Sequence, residues 1–155
     1  MKIALGTDHA GFELKECIKA FLLQLGHEVH DYGTYSLESC HYPTYVQYAA
    51  KTVAKGICEA GIVFGGSGNG ECIAANKVKG IRCALCWTEE TGRLAKEHNN
   101  ANVISMGGRV VSEDNAKAAV KAWLDASFEG GRHQVRIDMI EQDLTPPPGF
   151  PVIEL

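Results

Sequence analysis

The sequence predicts an α/β domain, a Rossmann-like three-layer sandwich with a five-stranded parallel sheet. Three observations lead there. Apolar strand-like runs alternate with helix-periodic segments along most of the chain, and such alternation calls for right-handed crossovers and a sheet covered on both faces. The chain has 155 residues, which suits one domain with a substantial core. Its composition, 45% hydrophobic and 22% charged, is that of an ordinary globular protein.

Each element has its own signal. Residues 2–8, KIALGTD, form the first short apolar run. Leu14, Cys17, Ile18, Phe21, Leu22 and Leu25 then recur at helical spacing until Gly26 stops them. HEVHDYG (27–33) alternates weakly as a second strand, and its histidines are assigned to the surface. Pro43 opens a second helix running to about Lys55. GIVFGG (61–66) is the third strand and ECIAANKV (71–78) a short helix. RCALCW (82–87) reads as the fourth strand. Thr88 is a fitting N-cap for a helix to about His98. NVISMGG (102–108) is the fifth strand, and Ser112 caps a helix that aligns Ala116, Ala119, Val120, Trp123 and Leu124. After Gly130 and Gly131, residues 132–144 read as a last helix. Residues 1–144 are thus one domain. The tail, 145–155, is proline-rich, cannot be helical at its prolines, and is expected to extend over a neighbouring surface.

Composition excludes several classes of function. The net charge of -4 gives no basic surplus for nucleic acid and no polybasic block for a membrane surface. Asp8 and His9 interrupt the N-terminal apolar run too early for a signal peptide, and no apolar run approaches the ~20 residues of a membrane helix. The expected location is the cytoplasm. Six cysteines without an export signal are expected to be free thiols. Cys83 and Cys86 form a C-x-x-C, but residues three apart on a strand face opposite sides, which defeats shared chelation. No second Cys or His pair has zinc spacing, so neither metal nor cofactor is expected.

In a doubly wound sheet, ligands sit beyond the carboxyl ends of the strands. The residues there are Asp8 and His9, the 40–43 loop, the 65–71 loop, Trp87 and Thr88, and Gly107 to Arg109. The 65–71 loop, GGSGNGE, is the most informative. Its glycines let backbone N–H groups approach a ligand, and the following helix N-terminus adds partial positive charge. The G-K-[ST] ending of a Walker loop is absent, and Glu71 stands where a dinucleotide fingerprint would need glycine. A carboxylate there would repel a pyrophosphate. One reading is a tight turn with an acid that favours the helix dipole. The other joins both features: amide donors stabilise charge developing on a carbonyl oxygen, and Glu71 removes a proton from the adjacent carbon. That is equipment for enediolate chemistry.

GTDHAGFELK, GGSGNGECIAANKVKGIRCAL, EHNNANVISMGGR and FEGGRHQVRID, taken together, resemble the B-type ribose-5-phosphate isomerase family, which includes galactose-6-phosphate isomerase subunits. The resemblance covers roughly residues 1–141. It implies a Rossmann-like fold, a metal-free aldose–ketose isomerase of a sugar phosphate, and a homodimer with shared sites, and leaves open a further pairing into a dimer of dimers. Many members place a cysteine base where this chain has Gly65; the branch that carries GSGNGE uses the glutamate, which matches Glu71. By the same resemblance Ser67 binds the reacting end of the sugar. The backbone of Gly66, Gly68, Asn69 and Gly70 forms the anion hole. His98 opens the furanose ring with Asn99 beside it. Asp8, His9 and Tyr42 contact substrate, and Arg109, Arg132, His133 and Arg136 form the phosphate-binding set. The chain departs from the family at His41, where aspartate is usual, which leaves open another sugar phosphate of four or six carbons.

The residues alone say less. Arg132 and Arg136, four apart, share a helix face and with His133 suit a phosphate, or they make ordinary surface ion pairs. His98 ends a helix, where a cation serves the dipole whether or not it is catalytic. Asp8 and His9 follow strand one, where ligand residues belong, or they cap the next helix. Cys72 is read as core. A non-catalytic sugar-phosphate sensor on the same fold is the rival from another class, and retention of Glu71, Ser67 and His98 together disfavours it.

Overall fold

The computed structural model describes residues 1–142 and 147–149. Its elements are β1 (Lys2–Thr7), α1 (Phe12–Gln24), β2 (Glu28–Asp31), α2 (Tyr42–Ala54), β3 (Ala60–Gly65), α3 (Asn69–Asn76), β4 (Cys83–Leu85), α4 (Glu89–Asn99), β5 (Val103–Gly107), α5 (Glu113–Asp125) and α6 (Arg132–Met139). Nine of the eleven expected elements need no revision beyond a residue or two at their ends, and the order of the strands along the chain holds; two elements need more. The fourth strand contracts to three residues. The last helix ends at Met139, short of 144. The expected domain end at 144 and most of the tail lie outside the described residues. None of the described helices is long and apolar enough to cross a membrane.

All strand pairs are parallel, in the order β2-β1-β3-β5-β4. Alternate residues of each strand feed two cores. Ile3, Leu5, Ile62, Phe64, Ile104 and Met106 face α1, α4 and α5. Ala4, Val63 and Val103 face α2 and α3. The two cysteines of the C-x-x-C fall on opposite sides, Cys83 in one core and Cys86 in the other. All six thiols are free.

Local sequence explains the caps. Thr88 Oγ1 accepts from the Thr91 N–H while Thr91 Oγ1 accepts from the Thr88 N–H, a reciprocal capping box. Ser112 Oγ accepts from the Asn115 N–H. At the sheet's edge, Asn76 does the work of a missing strand: its side chain donates to the Cys83 carbonyl and accepts from the Cys83 N–H, both at 2.8 Å. Lys15 is fully buried, yet its ammonium bonds Asp31 at 2.8 and 3.0 Å and the Thr34 carbonyl at 2.9 Å. Removing one partner of such a pair typically costs about 3–5 kcal/mol. The clamp ties α1 to the turn after β2, which in turn pairs with Thr7, one residue before Asp8.

The topology decides where a ligand can enter. From β1 the chain moves outward to β2, then crosses back to β3 on the other side. The carboxyl ends of β1 and β3 therefore flank the switch point, the place for a crevice in an open parallel sheet. Asp8 and Gly65 stand on its two sides.

Candidate active site

A cleft of about 480 Å³ opens at that switch point, and Asp8, His9, Tyr42, Gly66, Ser67, Gly70, Glu71 and Arg109 line it. Eight of the site residues expected from sequence thus meet in one place. Ala10 and Val110 also line it; being apolar neighbours of site residues, they carried no chemical signal in the sequence.

Glu71 sits in the first turn of α3 with only 4% of its surface exposed. Its carboxyl group lies against the backbone of Gly65, so closely that a Cβ at position 65 would fall inside it. The glycine at 65 and the glutamate at 71 are one arrangement: any side chain at 65 must displace the carboxylate. Burial pushes the Glu71 carboxyl above the ordinary glutamate range, and the negative charge of Asp8 acts the same way, while N–H groups of Glu71 and Gly68 pull it back. A carboxylate of raised pKa is a stronger proton acceptor.

The loop before Glu71 owes its shape to glycine. Gly68, the residue preceding α3, adopts φ 85°, the left-handed region. Ser105 Oγ, from β5, holds the Gly68 carbonyl at 2.6 Å. Ser67 Oγ accepts from the Asn69 N–H at 3.3 Å and from its side-chain amide at 3.1 Å. Those bonds use the oxygen's lone pairs and leave the hydroxyl proton to donate. Within the 66–70 loop, the Asn69 N–H is already engaged with Ser67 Oγ.

The surrounding residues are held individually. Asp8 Oδ1 accepts from the N–H groups of Ala10 (2.9 Å) and Gly11 (3.3 Å), so it shapes the entry to α1 while also lining the cleft. Of the two readings of Asp8, capping and ligand contact, the geometry accommodates both. His9 Nδ1 accepts from the Cys40 N–H at 3.3 Å. The Tyr42 ring packs against Gly70, where a Cβ would lie 2.8 Å from Cζ and Oη. Arg109 is exposed, and its N–H donates to the Gly66 carbonyl at 3.0 Å. Cys72, expected in the core, is half-buried at its border, its thiol donating to the Cys83 carbonyl at 3.3 Å.

His98, Asn99, Arg132, His133 and Arg136 are not in this cleft. α4 starts beyond the carboxyl end of β4 and runs back, so His98 and Asn99 lie near the start of β5. Glu71 lies beside its end, where Gly65 is in register with Gly107. Roughly 13 Å of strand separates the two levels. The expected phosphate-binding set is therefore divided. Arg109 belongs to the cleft, whereas Arg132, His133 and Arg136 are on α6, which packs on α4.

At this second place His98 and His133 stack, ring centroids 4.3 Å apart and planes 8° from parallel. Glu129, which sequence reading passed over, approaches both: its Oε2 is 3.4 Å from His133 Nε2 and 4.0 Å from His98 Nε2. Burial holds the His133 imidazole below its usual range, as do the charges of His98, Arg132 and Arg136, against the pull of Glu129. Helix capping, the alternative use of His98, falls to Arg82, which donates to the carbonyls of Asn99 (3.0 Å) and Asn100 (2.8 Å). The ligand atoms of His98, Glu129 and His133 lie within 4.8 Å of one another, close enough to hold a metal ion. No sequence spacing announced that group, because Glu129 comes from the loop before α6.

Comparison with known proteins adds to this geometry. The family model described as Ribose/Galactose Isomerase matches residues 3–140. The chain is 48% identical over 139 residues to ribose-5-phosphate isomerase B of Escherichia coli, covering 90% of this chain and 93% of that one. Among solved structures, ribose-5-phosphate isomerase B of Clostridium thermocellum superposes with a TM-score of 0.89 at 47% identity, covering 90% and 95%. That of Mycoplasma genitalium with bound ribulose-5-phosphate gives a TM-score of 0.86 at 40% identity, covering 90% and 93%.

Proposed function

The chain belongs to the ribose/galactose isomerase family, and we propose that it interconverts ribose 5-phosphate and ribulose 5-phosphate with Glu71 as the base. It is an aldose–ketose isomerase of the sugar-phosphate class. The observation that carries the assignment of the base is the buried carboxylate of Glu71 in the space above Gly65.

The reaction begins with the closed sugar. His98 gives a proton to the ring oxygen as the C1–O bond breaks, and the C1 hydroxyl passes its proton to water, from which His98 is reprotonated, to become the aldehyde. Glu71 takes the proton from C2, leaving an enediolate; the O2 proton passes to O1, and Glu71 returns its proton to C1 to give the ketose. Ser67 donates to the developing oxyanion together with loop amides other than that of Asn69, which Ser67 already holds. Asp8, His9 and Tyr42 hold the sugar hydroxyls. The phosphate is bound by arginine, which binds at a distance from the chemistry and so orients the reacting end. No metal and no cofactor has a part in these steps.

One chain does not hold Glu71 and His98 within reach of one sugar. We infer a homodimer in which His98, Asn99, Arg132, His133 and Arg136 of one copy complete the cleft of the other, an isologous arrangement. The separation of the two groups by the height of the sheet supports this reading, as does the exposure of Arg132 and Arg136. Free thiols are in keeping with a reducing compartment, the cytoplasm. The test is an isomerase assay over aldose phosphates of four, five and six carbons, with and without chelator. Highest kcat/KM on ribose 5-phosphate, unchanged by chelator, is expected. A preference for another sugar phosphate would replace the substrate, and dependence on a divalent ion would overturn the mechanism.

A further inference from the structure

The second cluster contains one charged group that the mechanism does not use. Glu129 lies in the loop between α5 and α6, and its own N–H donates to the Glu97 carbonyl of α4 at 3.0 Å. Its carboxylate is thereby held beside the stacked imidazoles although half of it is exposed. At His133 Nε2 two groups compete. Arg132 Nε lies at 3.5 Å and can only donate, which suits a bare nitrogen. Glu129 Oε2 lies at 3.4 Å and accepts, which suits a protonated one. Besides Arg132, the other charge acting on His133 is Arg136, on the same helix α6. Among the described residues, Glu129 is the anion that approaches both imidazoles. The arginines and the near-parallel rings disfavour a shared metal ion: a metal lies in the plane of each imidazole it binds, and two stacked planes do not meet at one point.

We propose that Glu129 is a positioning residue for ring opening: its carboxylate keeps a proton on His133 and holds that ring in register with His98. The proposal rests on the reading of His98 as the ring-opening group. It explains why an exposed acid sits amid residues otherwise suited to a phosphate. With Glu129 neutral, the arginines face two imidazoles alone, and the bare form gains.

The experiment compares Glu129→Gln and Glu129→Asp with the unaltered protein in three measurements. The first is kcat/KM on ribose 5-phosphate, which must open a ring. The second is kcat/KM on a four-carbon aldose phosphate whose 4-oxygen carries the phosphate and which therefore cannot close a furanose. The third is the titration of His133 followed by NMR. Glu129→Gln is expected to lower the first about tenfold, to leave the second within about twofold, and to move the His133 midpoint down by roughly half a pH unit. Glu129→Asp should recover part of the rate. Equal loss on both substrates would mean a structural role, and an unmoved His133 midpoint would mean that Glu129 does not govern the proton; either overturns the proposal. His98→Asn is the control for the underlying reading. If it slows both substrates alike, His98 is not the ring-opening group, while the His133 titration still decides whether Glu129 holds the proton.

Discussion

The two ends of the sheet solve different problems. At the carboxyl ends of β1 and β3, a carboxylate is buried against backbone, and nearly every polar group around it is already bonded. At the opposite end, two exposed arginines and a half-exposed glutamate stand around a stacked imidazole pair, of which His133 is buried. The first end is rigid because backbone builds it; a base must be placed within a fraction of an ångström. The second is assembled from long side chains on α4 and α6, which suits groups that grip a charged ligand or move a proton on its far side. With the roles proposed above, neither end holds the whole of the chemistry, which is the physical case for the proposed second copy.

The sharpest way to test the contrast is to remove the base. Glu71→Gln keeps the shape of the cleft and is expected to lower kcat by about 10²–10⁴-fold with KM little changed. Near-normal kcat would show that the buried carboxylate is structural. Next is Gly65→Ala, a single added methyl that the Glu71 carboxyl must vacate. Loss of kcat by roughly 10–10² is expected with the fold intact by circular dichroism. Full activity would mean that Glu71 works from another position.

Mixing subunits tests whether the two ends meet across an interface. Glu71→Gln and Arg132→Ala/Arg136→Ala chains, each inactive, are unfolded and refolded together. Random pairing gives heterodimers with one intact site, so roughly a quarter of full activity should return. No recovery in proven heterodimers would show that each site is built from one chain.

The smallest effect concerns stability. The folded protein holds the Glu71 carboxyl above its unfolded range, so the native state binds the proton more tightly than the unfolded one. Stability from this group is present at low pH and is lost as pH rises through the folded pKa. Glu71→Gln should therefore melt a little higher than the unaltered protein at pH 7, and the difference should shrink towards pH 4. A variant that melts lower at pH 7 would contradict the burial argument.

Much of this was legible in the chain. The β/α alternation, the caps at Thr88 and Ser112, and the acid after GGSGNG are local signals, readable because hydrophobic period and turn chemistry act over a few residues. The contraction of β4 and the early end of α6 were not, since element ends depend on what packs against them. Eight site residues converged because each directly follows a strand or opens a helix at one end of a parallel sheet. The remaining candidates look no different in sequence. Arg109 and Arg132 are both arginines next to glycines, yet one lines the cleft and the other lies across the sheet from it.

The sequence by itself determined the fold class, which follows from hydrophobic periodicity, and pointed to the family through its resemblance to known motifs; Glu71 as the base is proposed from that resemblance and from the acid after the glycine loop. Only the tertiary structure decided the strand order, with β5 between β3 and β4, and with it the switch point at Asp8 and Gly65. It alone divided the arginines between two ends of the sheet and brought Glu129 to the histidine pair. The reason is that strand order and the distance between helix ends are set by which faces bury most apolar surface together, a property of the whole packed chain that no short stretch of sequence carries.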